Sequence, residues 1–577
     1  MQQPDADRLG QVVLDGLGEL VERLARPVGL DVVLGGPSLD HHEAVAVLVQ
    51  RVELAAGLLV HPRDRRGERL PDGVGPAGLG RDGGDDRDGH AGLLSGDRAR
   101  LPGFTLAPTR HRDDDAGVAQ PAVPGRPLRV AVVGAGPAGI YAADALAGQD
   151  DVPVAVDLID RLPTPFGLVR HGIAPDHLKM RALRETLHHT LDHERVRFVG
   201  NVEIGTDLAL DELRRHVDAV VYTYGAAGDR ALGIPGEELP GSLAATDVVA
   251  WYCGHPDADR GRVEELVSRA RDVVVVGVGN VALDVARVLA RSPAELHPTE
   301  MPHHVLDTLA AAPVERITVL GRRGPAQASF TTQELRELGH LAAATVLVDP
   351  ADLTDAGDAA LAAEDRHVAR NLAALADYAG HEAAPGTVSV RLRFHARPVR
   401  LLGTDRVIGV EVERTRVDAD GRAVGTGELD VVPADLVVRS VGYRGHALPG
   451  LPLDGGTVPH DAGRVVRDGE VSRGEYVAGW IKRGPTGVVG TNKHDARETV
   501  ASLLADVASG VLQPGGDDDW VDTLLARGGH PVLLADWRAI DAAEIALGAV
   551  HGRARTTLHE RESLLAAVRA AAAAQEG

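Results

Sequence analysis

The amino-acid sequence predicts a wound α/β protein with two similar nucleotide-binding folds, preceded by a poorly ordered extension. Three observations lead to this prediction. From Arg129 onward, short apolar stretches, glycine turns and helical stretches alternate as far as the C-terminus, which is the pattern of a sheet wound with helices. Two glycine-rich loops of one kind occur in this part of the chain. Residues 1–127 differ from it, because they contain a single aromatic residue, no lysine and stretches rich in glycine, aspartate and arginine.

Composition limits the functions that are possible. With 577 residues, of which 44% are hydrophobic, the chain can form two or three domains with large cores. It has no apolar run of eighteen residues and no secretory-signal layout, so we expect no membrane span and a cytoplasmic location. The formal net charge of -23 argues against nonspecific nucleic-acid binding. The single cysteine, Cys253, excludes an internal disulfide and a cysteine-ligated metal or cluster within the chain, and we expect no metal.

The first glycine loop lies in Leu128–Leu146, which is typical of a buried strand, a tight turn and a helix. Gly134 permits the turn, Gly136 lets the backbone approach a pyrophosphate, and Gly139 lets the helix pack closely on the strand. A second apolar stretch ends at Asp160, 26 residues after Gly134. A carboxylate at this position accepts hydrogen bonds from a ribose 2′-hydroxyl, so this fold should bind FAD or NAD and not NADP.

The second loop lies in Asp272–Ala290, with Gly277, Gly279 and Ala282 at the three small-residue positions. Its next apolar stretch, ITVLG, is followed by Arg322 and Arg323 where the first fold has an acid. A carboxylate would repel a 2′-phosphate, whereas guanidinium groups bind it through charge-assisted hydrogen bonds. The alternative is a solvated arginine pair at a strand end. The position favours NADP, and two such nucleotides imply hydride exchange between nicotinamide and flavin.

A C-terminal stretch, Tyr476–Val500, begins as an apolar strand and continues through a Gly-Pro-Thr-Gly turn. We predict that a helix starts near Gly487, where its positive end would stabilise the charge of a reduced flavin. Trp480 could lie against the flavin or the nicotinamide, and it could equally be a core aromatic residue.

From about Leu128 to the C-terminus the chain resembles the adrenodoxin reductase family, the ferredoxin–NADP+ reductases related to glutathione reductase. The motifs that carry the resemblance occur in one order along the chain: VVGAGPAGIYAA, PFGLVRHGIAPDH, LGIPGEELPG, GNVALDVAR, GRRGPAQASFTTQELRE, SVGY and GWIKRGPTGVV. The resemblance implies an FAD-binding domain made of residues 128–228 and 441–577. It also implies an NADP-binding domain, residues 229–440, inserted in the FAD domain. The extension, residues 1–127, has no counterpart in simple family members.

The resemblance also implies which residues form the sites. For FAD these are Gly134, Gly136, Ala138, Gly139, Asp160, Leu168, Ile204, Trp480, Gly487, Val488 and Val489. For NADP they are Gly277, Val278, Gly279, Asn280, Val281, Arg322, Arg323, Glu334 and Gly487. His177 and Asp284 match a family pair near the flavin and are expected to handle a proton or to position a reactant. Their structural alternatives are that His177 caps a local turn and that Asp284 stabilises the first turn of its helix.

The resemblance implies an enzyme that passes hydride from NADPH to FAD and then single electrons to a ferredoxin-type iron–sulfur protein. Such acceptors are usually acidic, so we expect a local arginine cluster to form the docking face, with Arg366 and Arg370 as candidates. A dithiol reductase is excluded because it needs a redox cysteine pair. Two alternatives remain open: an electron-input subunit of a larger synthase or dehydrogenase, and a non-enzymatic redox sensor that binds FAD and NADPH.

Overall fold

The computed structural model describes residues 126–513 and 519–576. The predicted extension, residues 1–127, therefore lies outside the described residues except at its last two positions. There Arg126 pairs with Asp218 at 2.9 Å. Within the two described ranges, no helix combines the length and the apolar character that a membrane crossing needs.

The first segment of the fold alternates strands with helices, beginning with the buried strand LRVAVV. Continuously apolar strands of this kind are typical of a parallel sheet covered on both faces. The helix after it starts with a proline, whose fixed φ suits the first helical position. The elements are β1 (Leu128–Val133), α1 (Pro137–Ala147), β2 (Val154–Ile159), α2 (Leu168–His171), α3 (Leu178–Arg181), α4 (Leu183–Leu191), β3 (Val196–Gly200), α5 (Leu210–His216) and β4 (Ala219–Tyr222).

The middle segment repeats this pattern and adds an antiparallel sheet. Its elements are β5 (Gly228–Asp229), β6 (Ser242–Ala244), α6 (Ala245–Tyr252), α7 (Arg260–Val267), β7 (Asp272–Val276), α8 (Asn280–Ala290), α9 (Pro293–Leu296), α10 (His303–Ala311), β8 (Arg316–Leu320), α11 (Thr332–Leu338), β9 (Ala344–Val348), α12 (Ala356–Glu364), α13 (Arg366–Ala376), β10 (Val388–Arg393), β11 (Ala396–Leu402), β12 (Gly409–Val417), β13 (Ala423–Pro433) and β14 (Leu436–Arg439). Short 3-10 turns cover Pro325–Gln327 and Pro350–Leu353.

The C-terminal segment returns to the first sheet. Its elements are β15 (Tyr443–Arg444), β16 (His460–Asp461), β17 (Arg464–Arg467), β18 (Glu470–Val477), α14 (Trp480–Arg483), α15 (Thr491–Ala508), α16 (Trp520–Ala526), β19 (Val532–Leu533), α17 (Leu534–Val550) and α18 (Arg561–Glu576).

Two large sheets organise these elements. The first has the order β16-β17-β18-β4-β1-β2-β3-β19, with a parallel centre from β18 to β3. The second has the order β6-β14-β7-β8-β10-β9 and is parallel throughout. The predicted class, an α/β protein with two wound parallel sheets, is confirmed. The first sheet takes strands from both ends of the described chain and the second only from the middle, while the exact domain bounds stay a prediction.

Buried ion pairs fasten the C-terminal segment to the rest of the molecule. Glu544 on α17 pairs with Arg170 on α2 at 3.0 Å and with Arg555 at 3.2 Å. Glu300 of the middle segment pairs with Arg181 on α3. Burial alone would raise the pKa of Glu300, but the arginines beside it lower that pKa to about 2. The Glu300 carboxylate is therefore ionised, and the ion pairs of Glu300 and Glu544 join all three segments of the fold.

We expect Glu544→Gln to lower the free energy of unfolding by about 3–5 kcal/mol, because it leaves a buried arginine without its anion. Chemical denaturation of the purified protein measures this loss. Arg569→Gln is the matched control, since it breaks an ion pair whose two side chains are 59% and 77% exposed and should change stability by less than about 0.5 kcal/mol. Equal losses in the two variants would contradict the role given to the buried pair.

Candidate functional site

The first glycine loop joins β1 to α1 with a geometry that only glycine allows. Gly134 has φ +113°. A side chain at Gly139 would place its Cβ 1.9 Å from the carbonyl oxygen of Gly134. Gly136 precedes α1 in extended conformation, and no side chain accepts the first N–H groups of that helix. These groups, at the positive end of an 11-residue helix, are donors for a phosphate.

The second loop repeats the arrangement between β7 and α8. Gly277 has φ +130°, and a Cβ there would lie 2.1 Å from the carbonyl oxygen of Ser440. Gly279 precedes α8, again without a side chain that caps the helix. Ala282 is fully buried, so its small side chain allows the close packing that Gly139 gives in the first fold. The chain thus carries two phosphate cradles of the same design.

A shared hydrogen bond aligns the two folds residue by residue. The N–H of Gly134 donates to the carbonyl of Ile159 at 2.7 Å, and the N–H of Gly277 donates to that of Leu320 at 2.9 Å. Ile159 and Leu320 each end the neighbouring strand. The position one residue further is Asp160 in the first fold and Gly321 in the second. The arginine pair therefore begins one position later than the acid, a refinement of the prediction.

Asp160 lies beside the first cradle and also supports it. Its carboxylate accepts the N–H of Ala135 at 2.8 Å and that of Leu162 at 2.9 Å. Burial raises the pKa of Asp160 above its ordinary value, and these two backbone hydrogen bonds offset part of that rise. Each carboxylate oxygen keeps a further lone pair for a hydroxyl donor, so bracing of the loop and the predicted ribose contact are compatible.

Arg322 and Arg323 follow the end of β8. Their backbone is fixed, because Thr415 donates to the carbonyl of Arg322 at 2.7 Å and the N–H of His395 donates to that of Arg323 at 3.0 Å. Neither guanidinium forms an ion pair or hydrogen bond with a residue that the structure describes. By contrast Arg161, which aligns with Arg322 in the first fold, is paired with Asp257. Two guanidinium groups beside the second cradle, with no counter-charge among the described residues, are chemically suited to a dianionic group.

Asn280 connects the second cradle to α11. Its side-chain oxygen accepts the N–H of Thr331 at 2.8 Å, and Thr331 caps the N–H of Glu334 at 3.3 Å. Val278 and Val281 pack partly buried against the middle core. Glu334, which was predicted as an NADP contact, contacts His177 and Arg287, and the cluster that these residues form is described below.

The C-terminal segment reaches the first cradle through Gly479, at φ +80°. A Cβ at that position would lie 2.6 Å from the Cβ of Ala138, so only glycine permits the approach. Trp480 follows, with its ring 5.6 Å from that of Tyr443 and its indole N–H donating to the carbonyl of Thr486 at 3.1 Å. Trp480 is half-buried, which distinguishes it from a core aromatic residue.

The helix predicted to start near Gly487 begins at Thr491, so this prediction was wrong. Gly487 has φ +83°, which an α-helix excludes. The N–H of Val488 instead donates to the hydroxyl of Thr491 at 3.2 Å. Val488 is 70% exposed, whereas Val489 packs against the first core. The loop before α15 therefore offers an open apolar surface at Val488, facing away from that core.

Leu168 and Ile204, both predicted to contact FAD, differ in burial. Leu168 opens α2 and is 39% exposed. Ile204 is buried and belongs to the core below the first sheet. Because neither side chain is polar, each could contact a ligand only by apolar packing.

His177 and Asp284, which the family resemblance implies as a pair, are in contact. The ring Nε2 of His177 lies 3.0 Å from a carboxylate oxygen of Asp284 and 3.1 Å from one of Glu334, while Nδ1 lies 3.5 Å from Glu337. His177 precedes α3 but its side chain caps no helix. The alternative of a local turn cap is therefore excluded, and the contact joins the first segment to the middle one.

Arg287 stands at the centre of this cluster and was not predicted. It is fully buried and contacts Asp176 at 2.7 Å, Asp284 at 2.8 Å and Glu334 at 3.0 Å. The one signal for it in the sequence is its spacing, three residues after Asp284 on α8. We call His177, Asp176, Asp284, Arg287 and Glu334 the His177 cluster.

The His177 cluster holds a proton on the imidazole ring. Burial alone would lower the pKa of His177, and Arg287 also lowers it, but hydrogen bonds to Asp284 and Glu334 raise it to about 10. At neutral pH the ring is therefore a cation. Ligand atoms of His177, Glu334 and Glu337 lie within 4.8 Å of one another, as a metal would require. Arg287 already provides a cation there, 2.6 Å from the ring and 3.0 Å from Glu334.

Comparisons with known proteins agree with this geometry. A family model described as pyridine nucleotide-disulphide oxidoreductase matches residues 128–318. The NADPH-ferredoxin reductase FprA of Mycobacterium tuberculosis is 43% identical over 459 residues, which cover 76% of this chain and 99% of that protein. The mitochondrial NADPH:adrenodoxin oxidoreductase of Arabidopsis thaliana is 38% identical over 464 residues, which cover 77% of this chain and 95% of that protein. The solved structure of the Mycobacterium tuberculosis protein with NADPH matches with a TM-score of 0.73, covering 77% of this chain and 100% of that one.

We expect the contribution of His177 to stability to depend on pH. Its pKa is about 10 in the fold and about 6.5 in an unfolded chain, so the stabilisation is fully present below pH 6.5 and is lost as the pH rises through 10. His177→Gln should lower the free energy of unfolding at pH 6 by roughly 2 kcal/mol and by much less at pH 10.5. Urea titrations at both pH values measure the difference. An equal loss at both would show that the ring is neutral in the fold.

Proposed function

Because the chain belongs to the family of NADPH-dependent ferredoxin and adrenodoxin reductases, we propose that its two cradles and the His177 cluster are the working parts of such an enzyme. The chain is an FAD-dependent oxidoreductase that carries electrons from NADPH to a ferredoxin-type iron–sulfur protein. The observation that supports the assignment of sites is the contrast between an acid beside one cradle and, beside the other, two arginines whose guanidinium groups have no partner among the residues that the structure describes.

FAD fits the first cradle and the C-terminal return. The N-terminus of α1 would bind its phosphates, Asp160 its ribose, and the stretch from Trp480 to Val489 its flavin ring. The support is that Gly479 packs on Ala138 of the first cradle and that Val488, in the loop that follows Trp480, is exposed. When bound, FAD accepts two electrons as hydride and releases them singly, which links NADPH to a one-electron acceptor.

NADPH fits the second cradle. The N-terminus of α8 would bind its diphosphate, and Arg322 with Arg323 its 2′-phosphate. A site that holds two guanidinium groups without a counter-charge is completed by a doubly charged anion, which NADH lacks. The arginines therefore set the preference between the two nicotinamide cofactors.

The role we propose for His177 is to hold a proton and to position the segments that carry the two cradles. Its ring is charged, nearly buried and fixed by carboxylates from α8 and α11. Asp284 and Arg287 act through it, the first as a hydrogen-bond acceptor and the second as a counter-charge for the acids. The helix α8 starts at the second cradle, so the cluster ties the NADPH site to the first segment.

A docking face for the iron–sulfur protein is proposed on α11 and α13, which pack together. Arg336, Arg366 and Arg370 are exposed there, and none of them has an ion-pair or hydrogen-bond partner among the described residues. Glu334 projects from the same α11 into the His177 cluster, so this face adjoins the redox site. Unpaired cations attract an acidic carrier and orient it on approach.

A cytoplasmic location completes the proposal. Its support is that both reactants, NADPH and a small electron carrier, are water-soluble. The Arabidopsis relative is named as mitochondrial, so location is not common to all relatives, and cell fractionation tests it for this chain.

Replacing both Arg322 and Arg323 by alanine should reduce the preference for NADPH over NADH by at least about a hundredfold, since each charged hydrogen bond contributes about 1.5–3 kcal/mol. The ratio of kcat/KM for the two nucleotides, measured by ferredoxin-coupled cytochrome c reduction, gives the change. Arg473→Ala is the control, because Arg473 is also exposed and lies on β18 of the other sheet. An unaltered ratio in the double variant would remove the arginines from the 2′-phosphate site.

Deletion of residues 1–120 should leave the flavin absorption bands and the rate of ferredoxin reduction within about twofold of the full chain. The reason is that both cradles and the His177 cluster lie between Gly134 and Val489. Absorbance of the purified protein and steady-state NADPH oxidation measure the two properties. Loss of either would assign the extension a part in the reaction or in folding.

A further inference from the structure

The loop after β8 is held by backbone hydrogen bonds from the corner between β10 and β11. The N–H of Gly321 donates to the carbonyl of Arg393 at 2.8 Å, and the N–H of Ala396 donates to that of Gly321 at 2.9 Å. The N–H of His395, between them, donates to the carbonyl of Arg323 at 3.0 Å. His395 itself is in the left-handed region, at φ +52°. We call these three hydrogen bonds the loop frame.

The first fold has the same loop frame. The N–H of Asp160 donates to the carbonyl of Val199, and the N–H of Val202 donates to that of Asp160, both at 3.0 Å. The N–H of Asn201 donates to the carbonyl of Leu162 at 2.9 Å, and Asn201 is again left-handed, at φ +59°. The loop frame is therefore common to an acidic loop and to a basic one, so it does not by itself select for a 2′-phosphate.

The two folds differ in the group that binds the next carbonyl of the loop. In the second fold the carbonyl of Arg322 accepts the hydroxyl of Thr415 at 2.7 Å, and the N–H of Thr415 donates to the carbonyl of His395 at 2.9 Å. The aligned carbonyl in the first fold, that of Arg161, accepts a guanidinium N–H of Arg561 at 3.1 Å. Thr415 is 4% exposed, whereas the side chain of Arg561 is 38% exposed. The buried hydroxyl contact is thus particular to the second fold.

The carbonyl that Thr415 binds belongs to the peptide group between Arg322 and Arg323. A peptide group is planar, and the Cα atoms of both its residues lie in its plane. A hydrogen bond to its oxygen therefore restricts the rotation of a unit to which both guanidinium side chains are attached. Thr415 thus influences the direction in which both arginines leave the backbone.

An irregularity in the antiparallel sheet brings Thr415 to this carbonyl. On β12, Val410 and Val412 are buried and the residue after each is partly exposed, so a regular strand would next bury Arg414. The register of β12 against β13 shifts between Glu413 and Thr415, and Thr415 is buried while Arg414 is exposed. Bulges of this kind redirect side chains beside functional sites.

We infer that Thr415 is a positioning residue for the 2′-phosphate site, and that its hydroxyl keeps Arg322 and Arg323 in the orientation that distinguishes NADPH from NADH. The inference rests on the proposed function and adds to it a residue outside both the glycine loop and the arginine pair. Thr415 does not need to touch the nucleotide, because it acts through the backbone of the arginines. The effect of losing its hydroxyl should therefore depend on the presence of a 2′-phosphate.

The test measures ligand binding to the full FAD-loaded chain with Thr415→Val, which removes the hydroxyl and keeps the branched shape. In titration calorimetry, the Kd of adenosine 2′,5′-bisphosphate should rise about tenfold, which corresponds to roughly one hydrogen bond. The Kd of 5′-AMP, which lacks the 2′-phosphate, should not change. The KM for NADPH should rise by the same factor at unchanged kcat. Thr415→Ser keeps the hydroxyl, so its Kd values should stay within about twofold of those of the wild type.

Thr299→Val is the matched control. The hydroxyl of Thr299 also donates to a backbone carbonyl at 2.7 Å, that of Leu296, and Thr299 is 3% exposed. The variant therefore removes a hydrogen bond of the same length and similar burial from the middle segment, at a position that takes no part in the loop frame. It should lower the free energy of unfolding about as much as Thr415→Val, and it should leave both Kd values unchanged.

An unchanged Kd of the bisphosphate in Thr415→Val would overturn the inference. An equal rise for 5′-AMP would also do so, because a general distortion would then be the cause, and so would a tenfold rise in Thr415→Ser. If Thr415→Val does not fold, Thr415→Ala replaces it, with the same result expected. The proposed function fails in another way: the wild-type chain would bind adenosine 2′,5′-bisphosphate no more tightly than 5′-AMP.

Discussion

The guanidinium group of Arg287 is the interaction on which the arrangement of the site depends. It is fully buried, and its partners come from the loop before α3, from α8 and from α11. A buried cation is stable only while its anions stay in contact. A displacement of the first segment relative to the middle one would separate buried Arg287 from Asp176 and is therefore costly. The position of His177, and through α8 that of the second cradle, follows from this constraint.

The charge of the side chains beside each cradle depends only on nearby residues, so it could be predicted from the sequence. Glycine spacing fixes the turn at Gly134 and at Gly277, because a side chain there would meet backbone atoms. The residue after a strand lies at the same edge of the sheet in both folds, so an acid in one and arginines in the other could be interpreted before any coordinates. The alignment of Asp160 with Gly321 needed the structure, because it depends on hydrogen bonds between strands.

Contacts between residues far apart in the sequence were harder to predict. Arg287 carries no motif of its own, and its partner Asp176 is far from it in sequence. The contact of Glu334 with His177 was not predicted, and its predicted contact with the nucleotide stays a prediction. The start of α15 was misplaced because the phosphate-binding pattern of α1 and α8, with a helix directly after glycine, does not apply at Gly487. Its positive φ keeps the chain in a loop as far as Thr491. The pairing of His177 with Asp284 was predicted only through the family resemblance.

The return of the chain to its first sheet has a consequence for biosynthesis. Strand β18 pairs with β4, and Glu544 neutralises Arg170. During synthesis, β4 and Arg170 therefore lack these partners until the C-terminal segment has been made. The middle segment, whose parallel sheet needs no strand from outside, is free to fold earlier. Until the C-terminal segment has been synthesised, β4 lacks its neighbour β18 and the sheet beside the first cradle has an unpaired edge.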